Sequence, residues 1–263
     1  MSDVTSRITS RDNPLIKELR KLSQDSIAYR KQGRIWLEGD HLCRAALAKG
    51  LKPAIALFAE SLWPQAQSEW SRAAIKNIVI ADAFLPEISG LESPARMGFV
   101  LDLPVAAALL PNVASVILDR VQDAGNVGSI LRSAAAFGFG QIIALKGTAA
   151  LWSPKVLRAG MGAHFALRLI EGVDPVALDE LEIPMVVTSS HQGRFLQEQK
   201  LPLHCAWVMG HEGQGVSDEL IARASLKVRI NQPGGEESLN VAAAAAICFY
   251  TSSLARPSHS LGL

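Results

Sequence analysis

From residue 115 onward, short unbroken apolar runs alternate with segments of helical period, and this alternation leaves few folds open. The strand-like runs are 115–118, 141–145, 185–188, 206–209 and 228–230. Between or after them lie helical periods at 127–137, 154–159, 217–224 and 239–253. A strand that is apolar at successive positions is covered on both faces, which calls for a parallel sheet with helices on each side. Sheets of this kind bind ligands beyond the carboxyl ends of their strands.

Three polar clusters occupy that place. As written they read DRVQDAGNVGSILRSAAAFGFG from Asp119, MGHEGQGVSDEL from Met209 and KVRINQPGGEESLNVAAAAAICFY from Lys227. In the first, Asn126 suits a helix N-cap and Arg132 lies about two turns further in. In the second, Gly210, Gly213 and Gly215 surround Glu212, either closing a sharp turn or letting the backbone approach a ligand. In the third, Gly234, Gly235, Ser238 and Asn240 precede an alanine run, and Ser238 can serve as a cap. Each cluster alone is explained by caps and turns. All three on one sheet rim argue for a single shared site.

Several chemistries find no support. Gly138 and Gly140 follow a helix instead of opening one, the wrong side for a dinucleotide cradle, and there is no phosphate-binding Gly-x-x-x-x-Gly-Lys loop. No Gly-x-Ser-x-Gly elbow is present. Cys43, Cys205 and Cys248 are widely spaced, and the six histidines are scattered, so free buried thiols and no metal site are expected. The longest apolar stretch is too short to span a bilayer, and no apolar h-region follows the first charges. A cytoplasmic protein without a membrane partner is the expectation.

The first hundred residues form a less regular pattern. Asn13 and Pro14 open an amphipathic helix with Leu15, Ile16, Leu19 and Leu22 on one side and Lys17, Arg20 and Lys21 outside. Strands at 34–38 and 53–58, with a helix between them closed by Gly50, complete a small α/β pattern. The formal net charge is only +1, yet cations crowd residues 7–34, a face that fits either phosphates or solvent. Pro94, Pro104 and Pro111 interrupt the periodicity, which puts a domain boundary near 105. The expected division is 1–104, 105–255 and a tail at 256–263.

At the three clusters the sequence resembles the SpoU (TrmH-like) family of RNA ribose methyltransferases, within the SPOUT superfamily. Asp123-Ala124-Gly125-Asn126-Val127-Gly128 with Arg132 is similar to its first motif, Gly210–Gly215 to its second and Glu237-Ser238-Leu239-Asn240-Val241 to its third. TSRDNPLIKELRKL and RIWLEGDHLCRAAL resemble the family's substrate-binding domain, so nearly the whole chain is covered.

The resemblance implies an α/β fold: a C-terminal parallel-sheet domain with a trefoil knot, preceded by a small α/β RNA-binding domain like a ribosomal-protein fold. It also implies a homodimer through the C-terminal domain. S-adenosylmethionine is the implied cofactor, with Thr188, Gly210, Ile230 and Leu239 at its contact positions, and Asn126, Arg132, Glu212, Ser238 and Asn240 form the implied catalytic set. Asn231-Gln232 departs from the Pro-Met usual in the family. The implied reaction is 2′-O-methylation of RNA, ribosomal RNA first and transfer RNA second. An RNA-binding protein that has lost turnover, and a base methyltransferase of the same superfamily, stand as alternatives.

Overall fold

The structure is a computed structural model that describes residues 5–189, 193–234 and 238–254. The tail expected at 256–263 lies outside the described residues, as do Gly235 and Glu237. The chain divides into two compact units, one running to Val105 and including Trp152–Phe165, the other formed by Ala106–Leu151 and the residues from Ala166.

The first unit follows the order β1 (Thr5–Ile8), α1 (Pro14–Gln24), α2 (Ala28–Gln32), β2 (Arg34–Glu38), α3 (Asp40–Ala48), β3 (Ile55–Ala59), α4 (Trp63–Trp70), β4 (Lys76–Ile80), α5 (Leu85–Ile88) and β5 (Met97–Asp102). Its sheet order is β1-β4-β3-β5-β2, parallel along β1-β4-β3 and antiparallel around β5. Helix α1 starts as its sequence dictates: the Asn13 side chain accepts from Leu15 N at 2.9 Å, and Pro14 fills the first helical position. Ile16, Leu19 and Leu22 are buried. Several of the expected surface cations are matched by carboxylates: Arg11 and Arg20 meet Glu87, Lys17 meets Asp12, and Arg34 reaches Glu18 and Asp102.

Helix α7 (Pro154–Gly160) belongs to this first unit, although by sequence order it stands among the elements of the second. Its Val156 and Leu157 are buried, and Trp152 packs on His164 with ring centroids 5.2 Å apart. The segment is apolar enough to need a core, and periodicity does not say which core receives it.

The second unit contains β6 (Ser115–Asp119), α6 (Ala124–Ala136), β7 (Gln141–Leu145), β8 (Arg168–Val173), β9 (Met185–Thr188), β10 (Arg194–Phe195), β11 (Ala206–Gly210), α8 (Asp218–Arg223), β12 (Leu226–Arg229) and α9 (Val241–Leu254). The sheet order is β10-β12-β9-β11-β6-β7-β8, with every neighbouring pair parallel. Strands β6, β7 and β11 are buried at every residue, as expected for the middle of a sheet covered on both faces. Ile117, Ile143, Val187, Val208 and Leu220 share one apolar cluster. Against the sheet, α9 is fixed by a buried hydrogen bond from Trp207 Nε1 to Ser252 Oγ at 2.8 Å and by Phe249 against Phe139, with centroids 4.7 Å apart.

From β6 the chain builds outward through β7 and β8, then returns to place β9, β11 and β12 on the other side. The progression therefore reverses between β6 and β11, where the register pairs Asp119 with Gly210. The loops leaving the carboxyl ends of these two strands are thereby placed side by side.

Candidate active site

Glu212 organises the facing loops. One oxygen of its carboxylate accepts from Asp123 N at 3.0 Å and Asn126 Nδ2 at 3.1 Å, and the other accepts from Gln122 N at 3.1 Å. Burial pushes this carboxyl's pKa up, but the hydrogen bonds from Asn126, Asp123 and Gln122 together outweigh that and hold it below the ordinary 4.5. It therefore stays ionised at neutral pH, at the N-terminal end of α6, where the helix dipole also favours negative charge.

The cap of α6 differs from the sequence expectation in a way that matters. Asp123, not Asn126, is the N-cap, its side chain accepting from Asn126 N at 2.7 Å. Asn126 sits in the first turn and its amide is released for other contacts: Nδ2 donates to Glu212, and Oδ1 accepts from Asn240 Nδ2 at 2.9 Å. Asn240 Oδ1 in turn accepts from Ala242 N and Ala243 N at 2.9 and 3.2 Å. Asn240, not Ser238, thus supplies the side chain that caps the start of α9. A directed series of hydrogen bonds runs from the N-terminus of α9 through Asn240 and Asn126 to Glu212.

The second loop is held by its own atoms. His211 and Gly215 exchange backbone hydrogen bonds of 3.0 and 2.8 Å, closing Glu212, Gly213 and Gln214 into a tight turn. His211 Nδ1 accepts from Gly213 N and Gln214 N, so the neutral ring carries its proton on Nε2. Below the loop, the buried Asp119 carboxylate accepts from Ser217 N at 2.7 Å and from Arg120 Nε at 2.9 Å, and Arg120 Nη1 donates to Gln214 Oε1 at 2.9 Å. Arg120 has φ +60°, an uncommon conformation for a residue with a side chain.

Beside this cluster the second unit has a cavity of about 790 Å³, within the size range of small-molecule sites. Thr188, Gly210, Ile230 and Leu239 all line it, as do Glu212, Ser238 and Asn240. Asn126 does not line the cavity and reaches it only through Glu212 and Asn240. Arg132 stands apart: it is on the exposed side of α6 with Gly125, Ser129 and Ala136. Among the described residues it makes no hydrogen bond or ion pair with the cluster.

The model of the SpoU rRNA methylase family matches residues 114–250, more than half of the chain, and the model of the MRM3-like substrate binding domain matches residues 13–97. The chain belongs to the SpoU family. Among its relatives is the 23S rRNA (guanosine(2553)-2′-O)-methyltransferase RlmP of Bacillus subtilis, 30% identical over 93% of this chain and 98% of that protein. A crystal structure of an RNA 2′-O ribose methyltransferase matches with a TM-score of 0.78 at 29% identity, covering 95% of this chain and 99% of the other. An rRNA methyltransferase from Sinorhizobium meliloti with bound AdoMet matches with a TM-score of 0.82 at 25% identity, covering 97% and 99%.

In this SpoU-family chain, His211, Asp123 and Gln232 take part in the site beyond the expected set. The cap at Asp123 was legible in the Asp-x-x-Asn spacing, since a carboxylate three residues ahead satisfies a first-turn N–H. The role of His211 as a brace for its own loop has no counterpart in sequence spacing. Gln232 lines the cavity with its Oε1 buried. Among the described residues no group of three or more His, Cys, Asp or Glu could hold a metal, and no helix is long and apolar enough to cross a membrane.

Proposed function

We propose that this protein methylates a ribose 2′-hydroxyl of RNA, ribosomal RNA first and transfer RNA second, using S-adenosylmethionine. The observation that carries the reading is the convergence of the three motifs on one rim, joined by the series Asn240–Asn126–Glu212 beside a cavity of suitable size. The relatives named above act on RNA, and one binds this cofactor.

The cavity fits the cofactor chemically. Ile230, Leu239 and Ala244 give it an apolar wall, and Gln232 Oε1 offers a buried acceptor that has no partner among the described residues. Thr188, Gly210, Ile230 and Leu239 would hold the cofactor, which when bound supplies an electrophilic methyl group. The remaining work falls to this chain's side chains. A ribose hydroxyl is a weak nucleophile and must lose its proton as it attacks. A guanidinium offers donors and no acceptor, so the role of Arg132 is to hold phosphate or to stabilise the developing oxyanion. Asn126 and Asn240 would orient the ribose, Ser238 lines the cavity within the same motif as Asn240, and Glu212 fixes Asn126 in place. A 2′-hydroxyl target also selects RNA over DNA.

Methyl transfer to rRNA isolated from cells lacking the protein, mapped at nucleotide resolution, should reveal 2′-O-methylation at a defined position. Methylated bases, or no product in ribosomal or transfer RNA, would overturn the assignment. In the same assay Arg132→Ala should lower the rate about 100- to 1,000-fold while leaving cofactor affinity close to wild type, because Arg132 does not line the cavity.

The reading extends to assembly and topology. Residues 13–97 would choose the RNA, and the second unit would form a homodimer. Dimerisation is supported by an exposed apolar line on α9, with Ile247 39%, Tyr250 53% and Leu254 67% accessible. A trefoil knot in the second unit accords with the return of the chain to β9 and β11 after β8. Sedimentation equilibrium tests the dimer, and the knot should leave the unfolded chain, pulled by its ends, shorter than a free chain of 263 residues. Three buried free cysteines suit the reducing cytoplasm, where fractionation should recover the protein.

A further inference from the structure

Resting on the cofactor reading above, we propose that the side-chain amide of Gln232 recognises the adenine of S-adenosylmethionine, its Oε1 accepting a hydrogen bond from the exocyclic 6-amino group. Gln232 follows β12 by three residues and lines the same cavity as Ile230, Leu239 and Ala244. Its Oε1 is buried, with no hydrogen-bond partner among the described residues. An acceptor removed from water and left unmatched is unfavourable, so rotation of the amide of this cavity-lining glutamine to bring Oε1 to a donor is favoured once a ligand supplies one.

The donors on this cofactor are the adenine amine, the ribose hydroxyls and the α-ammonium group. A neutral amide oxygen is a weak match for an ammonium, which carboxylates bind better. Glutamine is the usual partner of adenine because its amide matches the amino edge of that base. The apolar side chains that share the cavity with Gln232 suit the faces of a flat ring better than they suit a hydroxylated sugar. A methionine at this position would offer no such acceptor. The amide would therefore make this chain more selective for the 6-amino group than a methionine at that position allows.

Calorimetric titration of the full-length protein with S-adenosylhomocysteine, and with its 6-deamino analogue carrying hydrogen in place of the amine, tests this without turnover. Wild type should prefer S-adenosylhomocysteine by about fivefold to tenfold, the span of one hydrogen bond. Gln232→Met should lose that preference by weakening S-adenosylhomocysteine alone, with affinity for the analogue within about twofold of wild type. Equal weakening of both ligands would show that Gln232 only shapes the loop, and unchanged affinity for S-adenosylhomocysteine would show no contact. Either result overturns the inference while leaving the cofactor reading intact. A wild type that binds neither ligand removes the cofactor reading and this inference together.

Discussion

Gly210→Ala should abolish productive cofactor binding, lowering affinity about 100-fold or more. A Cβ built at this position would lie 2.2 Å from Val216 N, 2.3 Å from the Gly215 carbonyl carbon and 2.5 Å from its oxygen. These are backbone atoms, so no side-chain rotation relieves the clash. Instead, the turn from His211 to Gly215 must move away from β11 by about 1 Å, and displacements of that size at a site can cost about 100-fold. Overpacking of this kind also lowers stability by about 1–3 kcal/mol. Calorimetric titration with S-adenosylhomocysteine checks the first effect and denaturant unfolding the second. Gly234→Ala is the matched control: among the described residues an added Cβ there meets nothing within 4 Å, and both measurements should stay near wild type. Near-normal cofactor binding by Gly210→Ala would show that the loop is not needed to form the pocket.

Glu212→Ala should reduce methyl transfer by about 100-fold or more while the protein remains folded. The substitution removes the acceptor for two backbone N–H groups and for Asn126 Nδ2, so the amide that links α6 to α9 loses one end. The cost arises from misplacement of the reacting groups and is best read in single-turnover experiments at saturating cofactor. The wild-type carboxyl also has a pH signature. Its native pKa lies below the ordinary 4.5, so the folded state binds its proton less readily than the unfolded chain does. Its contribution to stability is therefore present above the unfolded value and is lost as the pH falls through the lower, native value. Acid titration of stability should show a component in that window that is missing from Glu212→Ala. An identical acid profile in the two proteins would refute this role.

Much of the fold was legible because burial leaves a plain mark on sequence. Strands β6, β7, β9 and β11 are continuous apolar runs, and such runs suit only the interior of a covered parallel sheet. Strand β8 is different: Arg168–Val173 is nowhere fully buried and contains Glu171 and Gly172, so an edge strand of this kind resembles a loop. Helix α7 was recognisable as a helix, but its destination depended on a tertiary contact. The site shows the same division. The three motifs locate Glu212, Asn126 and Asn240 on one rim, yet caps compete for the same polar residues, and by residue type Asn126 and Ser238 suit a cap as well as their neighbours do. Asp123 and Asn240 take those roles instead, which sets the Asn126 amide free for Glu212.

The hydrogen bonds from Asn126 to Glu212 and from Asn240 to Asn126 span 86 and 114 residues of chain. Synthesis proceeds at about 5–20 residues per second from the N-terminal end, so Asn126 leaves the ribosome long before either partner. A nascent chain can complete the first unit's helices and the inner strands of the second unit while its site is still unformed. The Asn240–Asn126–Glu212 link closes only after Asn240 and the start of α9 have emerged, which delays assembly of the site until long after its first motif has been made.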